Sequence, residues 1–270
     1  MIQSAWCKRG AGERVAHRAE YVEERLRAGS PVVGLSYREG ALLLSVRRSQ
    51  RKIYEIYDRL MFSAIGHQGD IETFRIAAID FCHQEGYQRS PDDVSAQRLV
   101  GFALSPPLKR SFGDTFTAPF VLRGIFAELG RAPGADAYYV LNYDGEFTVT
   151  YGYGAIAGSR YGEELMRSRL EILDGGALSL QAALEHALRI WALGWRDEPA
   201  ARGEDDEDEA DRRAEAGDEE FIDQTLRQAL AEGTVEAAIL QRNTQRESKF
   251  RLLGVRELEP LMAPYRRMER

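Results

Sequence analysis

A chain of 270 residues with 44% hydrophobic content can bury one sizeable core, and one domain is the expectation. Two cysteines, Cys7 and Cys82, are too few for a disulfide framework and lack metal-ligand spacing, which excludes small stapled folds and suits a reducing compartment. The formal charge of −7 is concentrated in residues 197–220, where 13 acidic and 3 basic residues give −10 and leave the remainder at +3. That remainder has no basic aromatic stripe, so nucleic acid is not expected as the main partner.

The opening "MIQSAWCKRGAGER" has no signal-peptide core, and no later apolar run approaches the roughly 20 residues of a membrane span. A cytoplasmic protein without membrane association is expected. Residues 13–28 place Val15, Tyr21, Val22 and Leu26 near one helical stripe, with Gly29 as the stop. Residues 31–37 and 41–46 read as a tight hairpin across Arg38-Glu39-Gly40, and "KIYEIYD" and "LMFSAIG" as two further strands. From Asp70 to Gln88, Ile71, Phe74, Ile76, Ala77, Phe81 and Cys82 fit a helix. A second helix is predicted to start at Ser90-Pro91-Asp92-Asp93, with proline at the first helical position.

"FVLRGIFAELG" and "AYYVLNYDGEFTVTYGYGAIAG" follow as strands, the latter turning at Asp144-Gly145, and helices are expected at 160–172 and 179–193. Residues 197–220 form a block of like charge with little apolar content and read as a solvated acidic loop. A helix near 221–231, strands in "VEAAILQRN" and "FRLLGV", and a C-terminal helix or tail over 256–270 complete the chain. Strands grouped in sets and helices in pairs imply two packed sheets covered by helix layers, an α+β fold and not an alternating parallel sheet.

Several clusters look chemical and do not carry chemistry. "GYGAIAG" at 152–158 has glycines but follows a hairpin and has the wrong spacing for a phosphate or dinucleotide loop, so it reads as strand and turn. Asp80, Cys82, His83 and Glu85 are metal-ligand types, yet their spacing scatters them around a helix axis. His67, in "AIGHQGD", reads as a turn histidine. No metal and no cofactor are implied.

Five stretches in order, "AGSPVVGLSYREGALLLSVRR", "RKIYEIYDRLMFSAIGHQGDIETFRI", "GYQRSPDDVSAQRL", "YYVLNYDGEF" and "EAAILQR", make the sequence resemble the 20S proteasome family, most closely the α-type subunits of bacterial proteasomes. The resemblance spans about residues 18–255. It implies a four-layer αββα sandwich of the N-terminal nucleophile hydrolase type, with residues 1–16 as a gating segment, 17–255 as the α-type domain and 256–270 as the tail. Active members of the family attack with a terminal threonine whose own amine is the base. The matching position here is Ser30, followed by Pro31 and preceded by a helix, and the family's tuning acid is replaced by Val46. Ser30 therefore reads as a strand start; the alternative is a self-processed hydrolase with Ser30 as nucleophile. Lys52 matches the active-site lysine, and in family α subunits a lysine there meets the C-terminal carboxylate of an activator. The resemblance thus implies no catalytic residue, activator binding by Lys52, Gly66, His67 and Gln68, and a gate containing Trp6, Cys7, Lys8 and Arg9. The implied partners are neighbouring α subunits in a homo-heptamer, a β-type subunit, a ring ATPase activator and unfolded protein substrates.

Overall fold

The computed structural model describes the backbone of residues 3–197 and 207–266, and the side chains of 15–197 and 218–266. Helix α1 (Gln3–Leu26) leads into β1 (Val32–Tyr37), β2 (Gly40–Arg47), β3 (Ile53–Tyr57), β4 (Leu60–Gly66) and helix α2 (Gln68–Gln88). A 3₁₀ turn (Pro91–Asp93), the short α3 (Ala96–Arg98), a π-helical stretch (Leu99–Leu104) and α4 (Ser105–Gly113) form one broken helical run. Strands β5 (Leu122–Glu128), β6 (Ala137–Leu141), β7 (Phe147–Tyr151) and β8 (Tyr153–Ile156) come next. They are followed by α5 (Arg160–Glu171), α6 (Leu180–Leu193), α7 (Glu207–Glu232), β9 (Thr234–Gln241), β10 (Phe250–Leu252) and α8 (Val255–Met262).

All strand pairings are antiparallel, in two five-stranded sheets ordered β10-β9-β2-β1-β8 and β3-β4-β5-β6-β7. The two-residue period of a strand sorts the side chains into three layers. Val33, Leu35, Leu42, Leu44, Val235 and Ile239 meet Trp191 and Leu226 from the helices over the first sheet. Leu60, Phe62 and Phe126 meet Phe74, Cys82 and Leu99 under the second. Val32, Leu43, Met61, Ile125, Tyr138 and Leu240 fill the space between the sheets. Strands buried on both faces read as continuous apolar runs, as β2 does with "ALLLSV". The layers are helix, sheet, sheet, helix. Among the described residues no helix is long and apolar enough to cross a membrane.

Turn chemistry follows the sequence. Gly145 has φ +85° and its N–H bonds the Asn142 carbonyl at 3.0 Å, closing the β6–β7 hairpin where Asp144-Gly145 predicted it.

Three expectations need correction. Helix α1 starts at Gln3, not near residue 13; Val22 and Leu26 are buried and anchor its end, and a helix so anchored extends backwards at little cost per residue. The second helix does not start at Pro91: Ser90 caps only a single 3₁₀ turn, Val94 is extended, and the chain restarts at Ala96 under Ser95, whose hydroxyl accepts from Arg98 N at 3.4 Å. Pro106 and Pro107 then supply no N–H to the preceding turn, and the ladder widens so that Ser105 N bonds Val100 O. The acidic stretch is not a loop throughout. Residues 207–220 belong to α7, built from good helix formers (Glu, Ala, Arg) ahead of the buried anchors Ile222, Leu226 and Leu230. Asp218, expected to be solvated, is buried between Arg169 (3.1 Å) and Arg196 (2.8 Å).

Candidate functional site

At one end of the sandwich the start of β1, the end of β2 and the start of β3 converge. The register pairs Val32 with Ser45 and Ser45 with Glu236, which carries the residues ahead of β1 back alongside Val46 and sets β9 on the other side. Ser30 Oγ consequently donates to Val46 O at 2.7 Å, Ser45 Oγ to Pro31 O at 2.6 Å, and Trp191 Nε1 of α6 to Pro31 O at 2.9 Å. Each bond holds the Gly29–Pro31 corner against the first sheet.

Lys52 approaches this corner from the second sheet. Its Nζ donates to Ser30 O at 2.8 Å, and its backbone N–H bonds Glu236 Oε1 at 3.1 Å, beside the 2.8 Å bond from Ile53 N to the same oxygen. The other carboxylate oxygen of Glu236 lies 2.8 Å from Arg47 Nε, a close ion pair off the hydrogen-bond direction. Glu236 is 4% exposed, so one buried acid joins three strands. Burial holds the Lys52 amine down at about 8 against its ordinary 10.5, while the Glu236 carboxylate pushes it back up.

Ser30, Val46 and Lys52 line a cleft of about 690 Å³, with Trp191, Trp195, Phe221, Ile65 and Ile71 as apolar wall and Arg47, Arg51 and the Arg48–Glu232 ion pair (3.4 Å) among the remaining lining. Gly66 closes β4 at φ +131°, where an added Cβ would collide with Val121 O, so only glycine turns the chain here into α2. The same segment is tied down twice, by His67 N to Val121 O (2.8 Å) and by Val121 N to Asp70 Oδ2 (2.9 Å).

Of the residues expected at an activator site, Lys52, Gly66 and Gln68 line one cleft. His67 does not: its N–H is engaged and it is exposed outside the lining. The gate residues Trp6, Cys7, Lys8 and Arg9 fall on the backbone of α1, with their side chains outside the described residues. In the continuous chain the Ser30 nitrogen is a peptide amide, and Val46 beside it is buried and apolar. Asp80 and His83 are exposed, Cys82 is buried, and Glu85 pairs with Arg98, so that cluster disperses as its spacing predicts. Sequence reasoning missed Glu236 and the two tryptophans. The signal for Glu236 was present: a lone acid inside the apolar strand "TVEAAILQ" has to be paired.

No family model matches the chain. Among curated proteins it is similar to the proteasome subunit alpha of Kineococcus radiotolerans, 30% identical over 239 residues that cover 88% of this chain and 89% of that protein. The proteasome subunit alpha of Xylanimonas cellulosilytica is 31% identical over 243 residues, covering 88% and 87% of the two chains. That of Streptomyces scabiei is 28% identical over 252 residues, covering 93% and 89%. The two-sheet sandwich between helix layers is the N-terminal nucleophile hydrolase fold. Fold and similarity over most of both lengths agree: the chain belongs to the proteasome subunit alpha family.

Proposed function

We propose that this chain is a non-catalytic, cytoplasmic α-type subunit. It closes into heptameric rings outside rings of a β-type protease subunit, gates the entry of unfolded protein with its first residues, and docks a ring ATPase activator at Lys52. The observation that carries this reading is the Lys52 side chain lining the cleft with its amine bonded to Ser30 O, while the Ser30 nitrogen is a peptide amide and Val46 beside it is apolar. A terminal carboxylate entering there would meet a compact cation with two N–H directions left beyond its bond to Ser30 O. Val15 and Tyr21 of α1, the latter under the Arg25 guanidinium, are about half exposed among the described residues, surface that a neighbouring subunit can cover.

Binding of a carboxylate has a pH signature. The amine titrates near 8, so docking holds a proton on Lys52 and weakens as pH rises beyond that value. The test is binding of the activator's C-terminal peptide to assembled particles. Lys52→Ala is expected to assemble and still pass small peptides while losing the peptide and the activator's stimulation, and Lys52→Arg to recover part. Unchanged affinity in the alanine variant would remove Lys52 from the docking site.

A further inference from the structure

We propose that Arg18 is the positioning residue that sets the direction of α1, and that it does so against a segment whose other end is fastened beside the Lys52 cleft. Val22 and Leu26 of α1 enter the apolar space between the sheets, and Glu23 accepts from Tyr143 Oη at 3.0 Å and from Arg160 Nη2 at 2.9 Å. One turn earlier the Arg18 guanidinium spans three carbonyls: Nε donates to Phe112 O at 3.0 Å, Nη2 to Ser111 O at 2.9 Å and Nη1 to Thr117 O at 2.9 Å. Among the described residues Arg18 is the first of α1 that bonds another element; His17 ahead of it pairs with Glu20 of the same helix. The helix runs back from Arg18 to Gln3, and about 1.5 Å per residue makes this an arm of roughly 20 Å whose angle is fixed at its base.

The acceptors account for the choice of arginine. Ser111 and Phe112 lie in the last turn of α4, where carbonyls lack partners within the helix and carry the negative end of its dipole. A planar fork meets both and reaches Thr117 O across the next turn, a fit that an ammonium, with three donors on one atom, does not reproduce. The turn is shaped to receive it, because Asp114 accepts from Phe116 N at 2.9 Å and from Thr117 Oγ1 at 3.2 Å.

From Thr117 the chain runs directly to Val121, which is anchored from the other side. Phe120 packs edge to face on Phe74 of α2 at 5.1 Å, Val121 N donates to Asp70 Oδ2 at 2.9 Å, and Val121 O accepts from His67 N at 2.8 Å. Gly66 and Gln68, on either side of His67, line the cleft. A shift of the Gly66–Asp70 turn when the cleft fills is passed through Val121 to Thr117 O, and from there by Arg18 to α1. Occupancy of the cleft and the direction of α1 then bias each other. This coupling rests on the docking and gating readings, whereas the hold of Arg18 on α1 rests on its three bonds alone.

Amide hydrogen exchange on the full chain tests the hold without any partner. Arg18→Gln is expected to speed exchange at residues 15–20 and 114–117 on the order of tenfold while the β1–β2 hairpin exchanges as in the wild type, and Arg18→Lys to recover part. Unchanged exchange at both segments, or faster exchange throughout the core as from a general loss of stability, would overturn the proposal. Asp70→Ala removes the acceptor of Val121 N at the cleft end and should also speed exchange at 15–20; an effect confined to 67–70 and 121 would break the link. In assembled particles Arg18→Gln should speed entry of larger peptides as removal of residues 2–12 does. Faster entry in the truncated particle but not in Arg18→Gln would deny Arg18 its control of α1's direction, whereas unchanged entry in both sinks the gating reading and the coupling with it, the hold being decided by exchange at 15–20.

Discussion

A lysine kept for function and not for the fold should be a burden on the fold, and Lys52→Met measures that burden. Methionine keeps the unbranched stem and removes the amine. The fall of the Lys52 pKa from 10.5 to about 8 means that folding disfavours the ammonium, by roughly 3 kcal/mol at about 1.4 kcal/mol per unit. Partial exposure of the side chain brings this to about 2–3 kcal/mol. The variant also loses the N–H bond to Ser30 O, worth about 1 kcal/mol. The net expectation is a methionine variant more stable by about 1–2 kcal/mol at pH 7. The sign with pH is fixed by proton counting. Below pH 8 folded and unfolded chains both hold the proton, and the wild type carries the full penalty. Between 8 and 10.5 only the unfolded chain holds it, so wild-type stability rises with pH and the variant's advantage shrinks. Urea unfolding of both purified chains at pH 7.0 and 9.5 reads the difference directly, since all other titrating groups cancel between them. A variant less stable at pH 7, or an advantage equal at both pH values, would refute the reasoning.

Three further outcomes are expected. Gly66→Ala forces a side chain into a φ +131° conformation and against Val121 O, and should destabilise the chain by roughly 3 kcal/mol in denaturant titration, through backbone strain plus steric clash. Ser30→Ala removes the hydroxyl's bonds to Val46 O and Ser45 Oγ and should leave the peptidase turnover of assembled particles unchanged; a large loss with intact assembly would restore the nucleophile reading. Removal of residues 2–12 should speed hydrolysis of larger peptides by assembled particles, whereas equal rates in full-length and truncated particles would count against a gate in this segment.

The fold was legible where local pattern and tertiary burial say the same thing. "ALLLSV" is apolar throughout because β2 is covered on both faces, and Gly40 and Gly145 mark turns that the structure makes. It was illegible where partners are distant. Asp218 sits in a run of like charges, and nothing local shows that Arg169 of α5 and Arg196 beyond α6 will enclose it. The true start of α1 was hidden because helix extension from a buried anchor needs no apolar repeat of its own. For the site, Lys52 was found through a resemblance, since a lysine in "SQRKIYEIYD" looks like any other on a strand end. What the sequence alone could not give was its direction: the side chain turns inward to Ser30 O because Glu236, from β9, receives the backbone on either side of it.

That direction also decides what the site can do. An amine beside a serine suggests acid–base work, and such work needs a hydroxyl whose proton can be taken and a base to take it. Here the Ser30 proton is directed at Val46 O, its nitrogen is bound in a peptide, and the adjoining side chain is an apolar valine. The buried acid within reach, Glu236, is occupied by two backbone N–H groups and Arg47. With the proton chemistry of the serine closed off, what the amine brings to the cleft is a positive charge, and burial makes that charge easier to lose than on a free lysine while the Glu236 carboxylate opposes its loss.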